Sequence, residues 1–140
     1  MNDLIATVLA LLLVGICVTM HYESLQLMYR RFDGYSTHRQ GVLFTMFGLL
    51  TAHTIAICVF GFGYWSGVTW FGLGTIEPSL SHWFDAIYFS AMVYTTVGFG
   101  DQIATGPLRI VVSAEALTGL GLITWSASFT FLQMQRLWNR

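Results

Sequence analysis

Apolar positions along this chain come in long blocks, with little short-range alternation. Leu4 to Met20 is 17 residues without a charge, and Val42 to Trp65 is 24 residues without one, with His53 near its middle. Pro107 to Leu132 is 26 residues broken only by Arg109 and Glu115. At 1.5 Å per residue even the shortest block makes about 26 Å of helix, close to the ~30 Å hydrocarbon thickness of a bilayer. The pattern predicts three transmembrane helices: an N-terminal one over Leu4–Met20, continuing apolar-to-mixed through His21, Tyr22, Leu25 and Met28; an outer helix over 42–65; and an inner helix over 107–135. Pro107 suits the first turn of the last helix, where a missing N–H costs nothing. The start Met1-Asn2-Asp3 has no basic residue and no small-residue cleavage pattern follows, so the first block reads as a retained helix and not a signal peptide.

A fourth apolar stretch, His82 to Tyr94, has 13 residues and reaches only about 20 Å as a helix. Ser81 is its expected N-cap, and Asp85 suits the positive end of the first turn. A helix too short to span is tolerated at membrane depth only where protein or water lines it. It is therefore expected to be re-entrant.

Composition strengthens this picture. Charged residues make up 9% of the 140 residues, hydrophobic residues 55% and aromatic residues 16%. A soluble domain carries about 25% charged residues, and a disordered chain is polar and poor in aromatics, so both classes are excluded. A net charge of −1 without a basic block argues against nucleic-acid binding. Cys17 and Cys58 both lie in apolar runs and are expected to be packed thiols without a disulfide. The four histidines lack zinc spacing with either cysteine, Gly61-x-Gly63 and Gly72-x-Gly74 follow no strand, and no nucleophile motif is present. Neither an enzyme nor a cofactor is expected.

Arginine placement sets the expected orientation. Arg30, Arg31 and Arg39 lie in the linker between the first two blocks, and Arg136 and Arg140 follow the last, against Arg109 alone on the other side. The positive-inside tendency puts the linker and the C-terminus in the cytoplasm of a cell-membrane protein and the N-terminus outside. Arg109 is expected to anchor a helix end. The linker from His21 to Gln40 mixes Tyr22, Tyr29, Phe32 and Tyr35 with arginines, which suits contact with membrane lipid headgroups.

The candidate chemistry follows the short helix, in Thr95-Thr96-Val97-Gly98-Phe99-Gly100-Asp101. An ion leaving water needs oxygens to replace its hydration shell, and backbone carbonyls supply them. Turning neighbouring carbonyls the same way requires backbone angles at alternate residues that glycine adopts cheaply, and Gly98 and Gly100 have that spacing. Carbonyls of Thr96, Val97, Gly98 and Phe99, repeated around a fourfold axis, would stack as rings for K+, with the Thr96 hydroxyl innermost. The negative end of the short helix would face a cation in the cavity.

Trp83-Phe84-Asp85-Ala86-Ile87-Tyr88-Phe89-Ser90, the loop Thr95–Asp101 and the glycine-centred last helix together resemble the pore domain of tetrameric potassium channels. The likeness runs from about Val42 to Leu132, and Leu4–Met20 lies outside it. It implies an all-α integral membrane homotetramer, with residues 1–41 as N-terminal helix and cytoplasmic linker and 42–140 as pore domain. It implies a pore helix over 82–94, a filter over 95–101 with ion-binding roles for Thr96, Val97, Gly98, Phe99 and Gly100, filter support from Thr95, Asp101 at the outer mouth, and a hinge at Gly119. The sequence departs from the commonest pattern by having Phe99 where the family usually has Tyr and Phe89 where it often has Trp. Losing both partners of a hydrogen bond orphans neither, and an apolar Phe89–Phe99 contact is expected in its place.

Glu115 lies inside a membrane span and is expected to have a partner, either near Tyr94 or Thr95 behind the short helix or at His53. Gly119 and Gly121 read equally as hinge points and as small residues for close helix approach. Ile123, Ala127 and Phe131 share one helical face and are candidates for the inner constriction. The expected function is passive potassium-selective conduction. Rival readings are a nonselective cation channel of the same fold, a proton-coupled transporter using Glu115 and His53, and a non-conducting partner subunit. The N-terminal helix could wrap the pore domain, meet a neighbouring subunit or bind a separate partner.

Overall fold

The computed structural model describes residues 1–32, 39–80 and 82–138. Three helices of 31 residues carry the fold: α1 (Asn2–Phe32), α2 (Arg39–Thr69) and α4 (Leu108–Trp138). A 12-residue helix, α3 (Trp83–Tyr94), lies between α2 and α4 in the chain. Among the described residues, α1, α2 and α4 are the helices long and apolar enough to cross a membrane. Leu11 is 67% exposed, Leu50 58% and Leu117 74%. Apolar side chains turned outward on all three helices suit a lipid surround and would be a liability in water.

Each long helix runs past its expected C-terminal end, and α1 and α2 also begin earlier than expected. α1 does not stop at Met20 but runs through Phe32, because Leu25 and Met28 continue its packed stripe. Ala6, Ala10, Leu13, Cys17, His21, Leu25 and Met28 are all buried, at the three- and four-residue steps of one helix face. That face packs against α2 and α4 of the same chain. A Cβ added at Gly63 of α2 would sit 2.4 Å from Leu13 Cδ1, so the missing side chain there is the space that Leu13 fills. Of the roles open to the N-terminal helix, packing on its own pore-like unit is the one seen.

α3 begins one residue later than expected. Ser81, the expected cap, lies outside the described residues. His82 takes the cap position with extended backbone, and its N–H donates to Asp85 Oδ2 at 2.9 Å. A two-residue antiparallel ribbon, absent from the sequence reading, brackets α3: β1 (Ile76–Glu77) pairs with β2 (Ile103–Ala104), Ile76 opposite Ala104. Thr75 and Thr105 extend it through their hydroxyls, 2.7 Å apart. Tyr35, expected to touch lipid headgroups, lies outside the described residues. Cys17 is buried and Cys58 exposed, both free, so the expectation that Cys58 is packed is corrected: it lies on the outer face of α2.

α4 meets the end of α3 at Gly119, where an added Cβ would lie 2.1 Å from the Tyr94 carbonyl oxygen. Close approach therefore requires glycine there whether or not the helix also bends. At Gly121 an added Cβ meets nothing within 4 Å. Gly119→Ala is expected to destabilise the detergent-solubilised protein by about 1–3 kcal/mol, the usual cost of overpacking. Gly121→Ala is expected to stay within about 0.5 kcal/mol. Denaturant unfolding of the two variants side by side checks the contrast, and equal losses would refute it.

Candidate functional site

The loop from Thr95 to Asp101 leaves the C-terminal end of α3 and is held to it by backbone. Thr96 N–H donates to the Val93 carbonyl at 3.0 Å and Gly98 N–H to the Met92 carbonyl at 3.2 Å. Gly98 and Gly100 have φ of 51° and 77°, the left-handed angles expected of them. Thr96 has φ 58° as well, which the sequence reading did not anticipate. A β-branched residue there is an outlier that the surroundings must enforce. Val97 and Phe99, between these three, do not have positive φ. Thr95 to Gly100 are exposed in the single chain.

Asp101 closes the loop back onto α3 by accepting a hydrogen bond from the Tyr88 hydroxyl at 2.8 Å. That bond, more than any burial, raises the Tyr88 pKa above the ordinary tyrosine value. Thr95 Oγ1 donates to the Ala91 carbonyl at 2.7 Å, so its side chain caps its own helix. Behind the loop lies a cavity of about 350 Å³, lined by Phe89, Met92, Gly98, Asp101, Arg109 and Val112 among others. Arg109 thus stands beside the loop at the start of α4.

Phe89 is buried, but its ring packs edge-to-face on Tyr64 with centroids 4.9 Å apart. Phe99 is 71% exposed. The expected Phe89–Phe99 contact is thereby corrected within one chain: α2 supplies the aromatic partner for Phe89.

Glu115 is fully buried where α2, α3 and α4 meet. Ser90 Oγ lies 2.5 Å from one carboxyl oxygen, and the Tyr64 hydroxyl donates to the other. Ser90 Oγ is also 2.9 Å from the Ile57 carbonyl. Ser90 has one hydroxyl hydrogen for two acceptors. All four groups are satisfied together when the carboxyl itself supplies a hydrogen to Ser90. Of the two expected placements, the brace on the short helix is the one found and the pairing with His53 is corrected. Glu115 braces α3 at Ser90, a turn before Tyr94, and its hydrogen-bond partners do not include His53. His53 instead joins Tyr94 Oη at 2.9 Å and Ser126 Oγ at 3.0 Å. A buried carboxyl requires nearby hydroxyls, but spacing could not say which of several would reach it.

Ile123, Ala127 and Phe131 line one apolar cavity of about 660 Å³ between α2 and α4, whose lining also includes His53, Tyr94 and Thr95. Among the described residues, no group of three or more acidic, histidine or cysteine side chains could hold a metal ion.

The family model for ion channels matches residues 43–136. The chain belongs to that family of two-transmembrane ion channels with a potassium-channel-type pore. α1 lies before the matched region and is an additional apolar helix. Neither a curated protein nor a solved structure matches the chain.

Glu115→Ala removes the hydrogen-bond partner of two buried hydroxyls and leaves a cavity, for an expected loss of about 2–4 kcal/mol. Glu115→Gln keeps a donor for Ser90 and an acceptor for Tyr64, and is expected to lose less than about 1 kcal/mol. Thermal unfolding in detergent distinguishes the two. A glutamine variant as damaged as the alanine one would refute this account of the site.

Proposed function

We propose that four copies of this chain form a potassium-selective channel that conducts passively. In this reading α3 is the re-entrant pore helix and Thr95–Asp101 the filter loop. The observation that carries the reading is the backbone alternation at Thr96, Gly98 and Gly100. Where residues of positive φ alternate with residues of negative φ, neighbouring carbonyls can be turned to one side and N–H groups to the other. Carbonyls of Thr96, Val97, Gly98 and Phe99 then converge on the side where a dehydrated K+ would pass, and the Thr96 hydroxyl adds an inner ring. Each chain supplies a quarter of every ring, which is why the site requires a homotetramer. Exposure of Val97 at 53% and Phe99 at 71% in the single chain supports cover by neighbouring copies.

The remaining parts follow. The C-terminal end of α3 presents its partial negative charge to the cavity below the loop. Asp101, held by Tyr88, stands at the outer mouth. Gly119 is the hinge candidate, and Ile123, Ala127 and Phe131 form the inner constriction. The arginines near the α1–α2 junction and the end of α4 set the cytoplasmic side, with the N-terminus outside. Lipid contacts the outer faces of the three spans.

The test is a bi-ionic reversal potential in planar bilayers, potassium opposite sodium. Wild-type protein is expected to reverse near the potassium limit. Gly98→Ala, which forces a Cβ onto φ 51°, is expected to lose that selectivity or all current. Reversal near zero with clear single-channel steps would keep the fold and replace the reading with a nonselective cation channel. Saturable, pH-driven flux indifferent to Gly98→Ala would replace it with a transporter.

A further inference from the structure

Four polar side chains from four helices form an unbroken line through the subunit. His21 Nε2 of α1 lies 3.0 Å from Ser126 Oγ of α4. Ser126 Oγ lies 3.0 Å from His53 Nε2 of α2, and His53 Nδ1 lies 2.9 Å from the Tyr94 hydroxyl of α3. The two imidazole rings are 5.0 Å apart, centroid to centroid. His21, Ser126 and Tyr94 are buried. Tyr94 immediately precedes the loop, and its carbonyl rests on Gly119. The line thus begins on the helix outside the family match and ends at the base of the proposed filter.

Its hydrogens can be counted. A neutral histidine has one N–H and one lone pair, and each hydroxyl has one hydrogen. The three bonds run in one direction or the other wherever Ser126 uses its hydrogen for one imidazole and a lone pair for the other. If Tyr94 donates to His53, then His53 donates to Ser126, Ser126 to His21, and His21 bears its hydrogen on Nδ1. If the run is reversed, His21 Nδ1 is a bare lone pair. Either way His21 Nδ1 is buried and has no partner. Such an orphan is costly and calls for a reason.

A proton arriving at His21 Nδ1 settles the direction. Nε2 must then donate to Ser126, and with the Ser126 hydrogen directed to His53 Nε2, His53 Nδ1–H donates to Tyr94. The Tyr94 hydroxyl hydrogen is displaced from its bond to His53. A second proton on His53 would aim two N–H groups at the single Ser126 oxygen from rings 5.0 Å apart.

We infer that this line is a proton-binding switch in which His21 takes up a proton and Ser126 and His53 carry the change to Tyr94. The N-terminal helix thereby adjusts the support of the filter to pH. The proton site stands on the geometry alone, and its effect on conduction rests on the proposed function. His21 is a positioning residue and touches no permeant ion. Among the described residues, the titratable groups around it are His53 on α2, its ring neighbour, then Tyr94 on α3, next along the line, Cys17, a turn away on its own buried stripe, and beyond these Glu115 on α4. Glu115 is near enough to act on Cys17 and Tyr94, while its hydrogen bonds go to Ser90 and Tyr64.

The test uses the full chain, purified in detergent and reconstituted into phosphatidylcholine–phosphatidylglycerol vesicles loaded with potassium. Between about pH 7 and pH 3.5, a range set low because burial disfavours a charged imidazole, wild-type potassium flux is expected to change about threefold or more. His21→Gln, which bonds but does not titrate, and Ser126→Ala, which keeps both imidazoles and cuts the line, are each expected to flatten the profile to less than about 1.5-fold. In detergent, without any ion flow, the gap in unfolding temperature between wild type and His21→Gln is expected to differ at the two ends of the range. If His21→Gln does not fold, Ser126→Ala provides both readouts. A pH dependence of flux that survives both substitutions overturns the inference, as does an unfolding gap constant with pH. Vesicles that pass no potassium at any pH, with the pH-dependent gap intact, uphold the proton site and sink the channel reading.

Discussion

A carboxyl group with no exposure, inside a span and held by hydroxyls from two other helices, is the constraint on which this subunit depends. Removing a carboxyl from water without partners costs several kcal/mol, and lipid offers none. Glu115 resolves this by drawing Tyr64 of α2 and Ser90 of α3 to one point. α3 is too short to span and has few turns with which to fix itself. The clasp at Ser90, the Tyr64–Phe89 ring contact beside it and the seat of Tyr94 on Gly119 fix its tilt and depth.

Fixing α3 is what allows the loop after it to hold angles the chain would otherwise avoid. Threonine at φ 58° is costly by itself, on the order of 1–3 kcal/mol for a non-glycine in that region. It persists where surrounding bonds determine it. Thr96 N–H to Val93, Gly98 N–H to Met92 and Tyr88 to Asp101 tie both ends of the loop to the same short helix. The strain is thus borne by the clasp beneath it, and a variant that loosens α3 acts on the loop without touching it.

How much of this could be read from the sequence depended on the range of the interaction. Long apolar blocks fix three spans because the bilayer imposes a length, and Gly98 and Gly100 marked the loop because their backbone angles are a local property. The end of α1 was placed too early because the residues past Met20 look mixed in composition yet continue one buried face. Glu115 was visible as a residue in need of a partner, but the choice of Ser90 and Tyr64 over His53 depends on the rotation of three helices, which no local spacing encodes. His21 looked like the start of a linker. Only its position in the buried stripe of α1, four residues after Cys17 and four before Leu25, distinguished it, and that stripe is legible once the helix is known to run through Phe32.

Ser90 and Tyr94 lie four residues apart on α3, so both project from one face toward the surrounding helices. Their two polar clusters differ in one respect that assigns them different roles. Around Ser90 every buried hydrogen-bonding group has a partner, and a closed set of this kind rigidifies a core. The line through Tyr94 ends on His21 Nδ1 with nothing to meet it. A closed set resists change, whereas an open-ended one has two hydrogen arrangements and a vacant position that decides between them. The family's two-helix pore unit contains the closed set entirely. The open line requires α1, so the added helix contributes more than bulk to the subunit: it supplies the end of the line at which the arrangement is chosen.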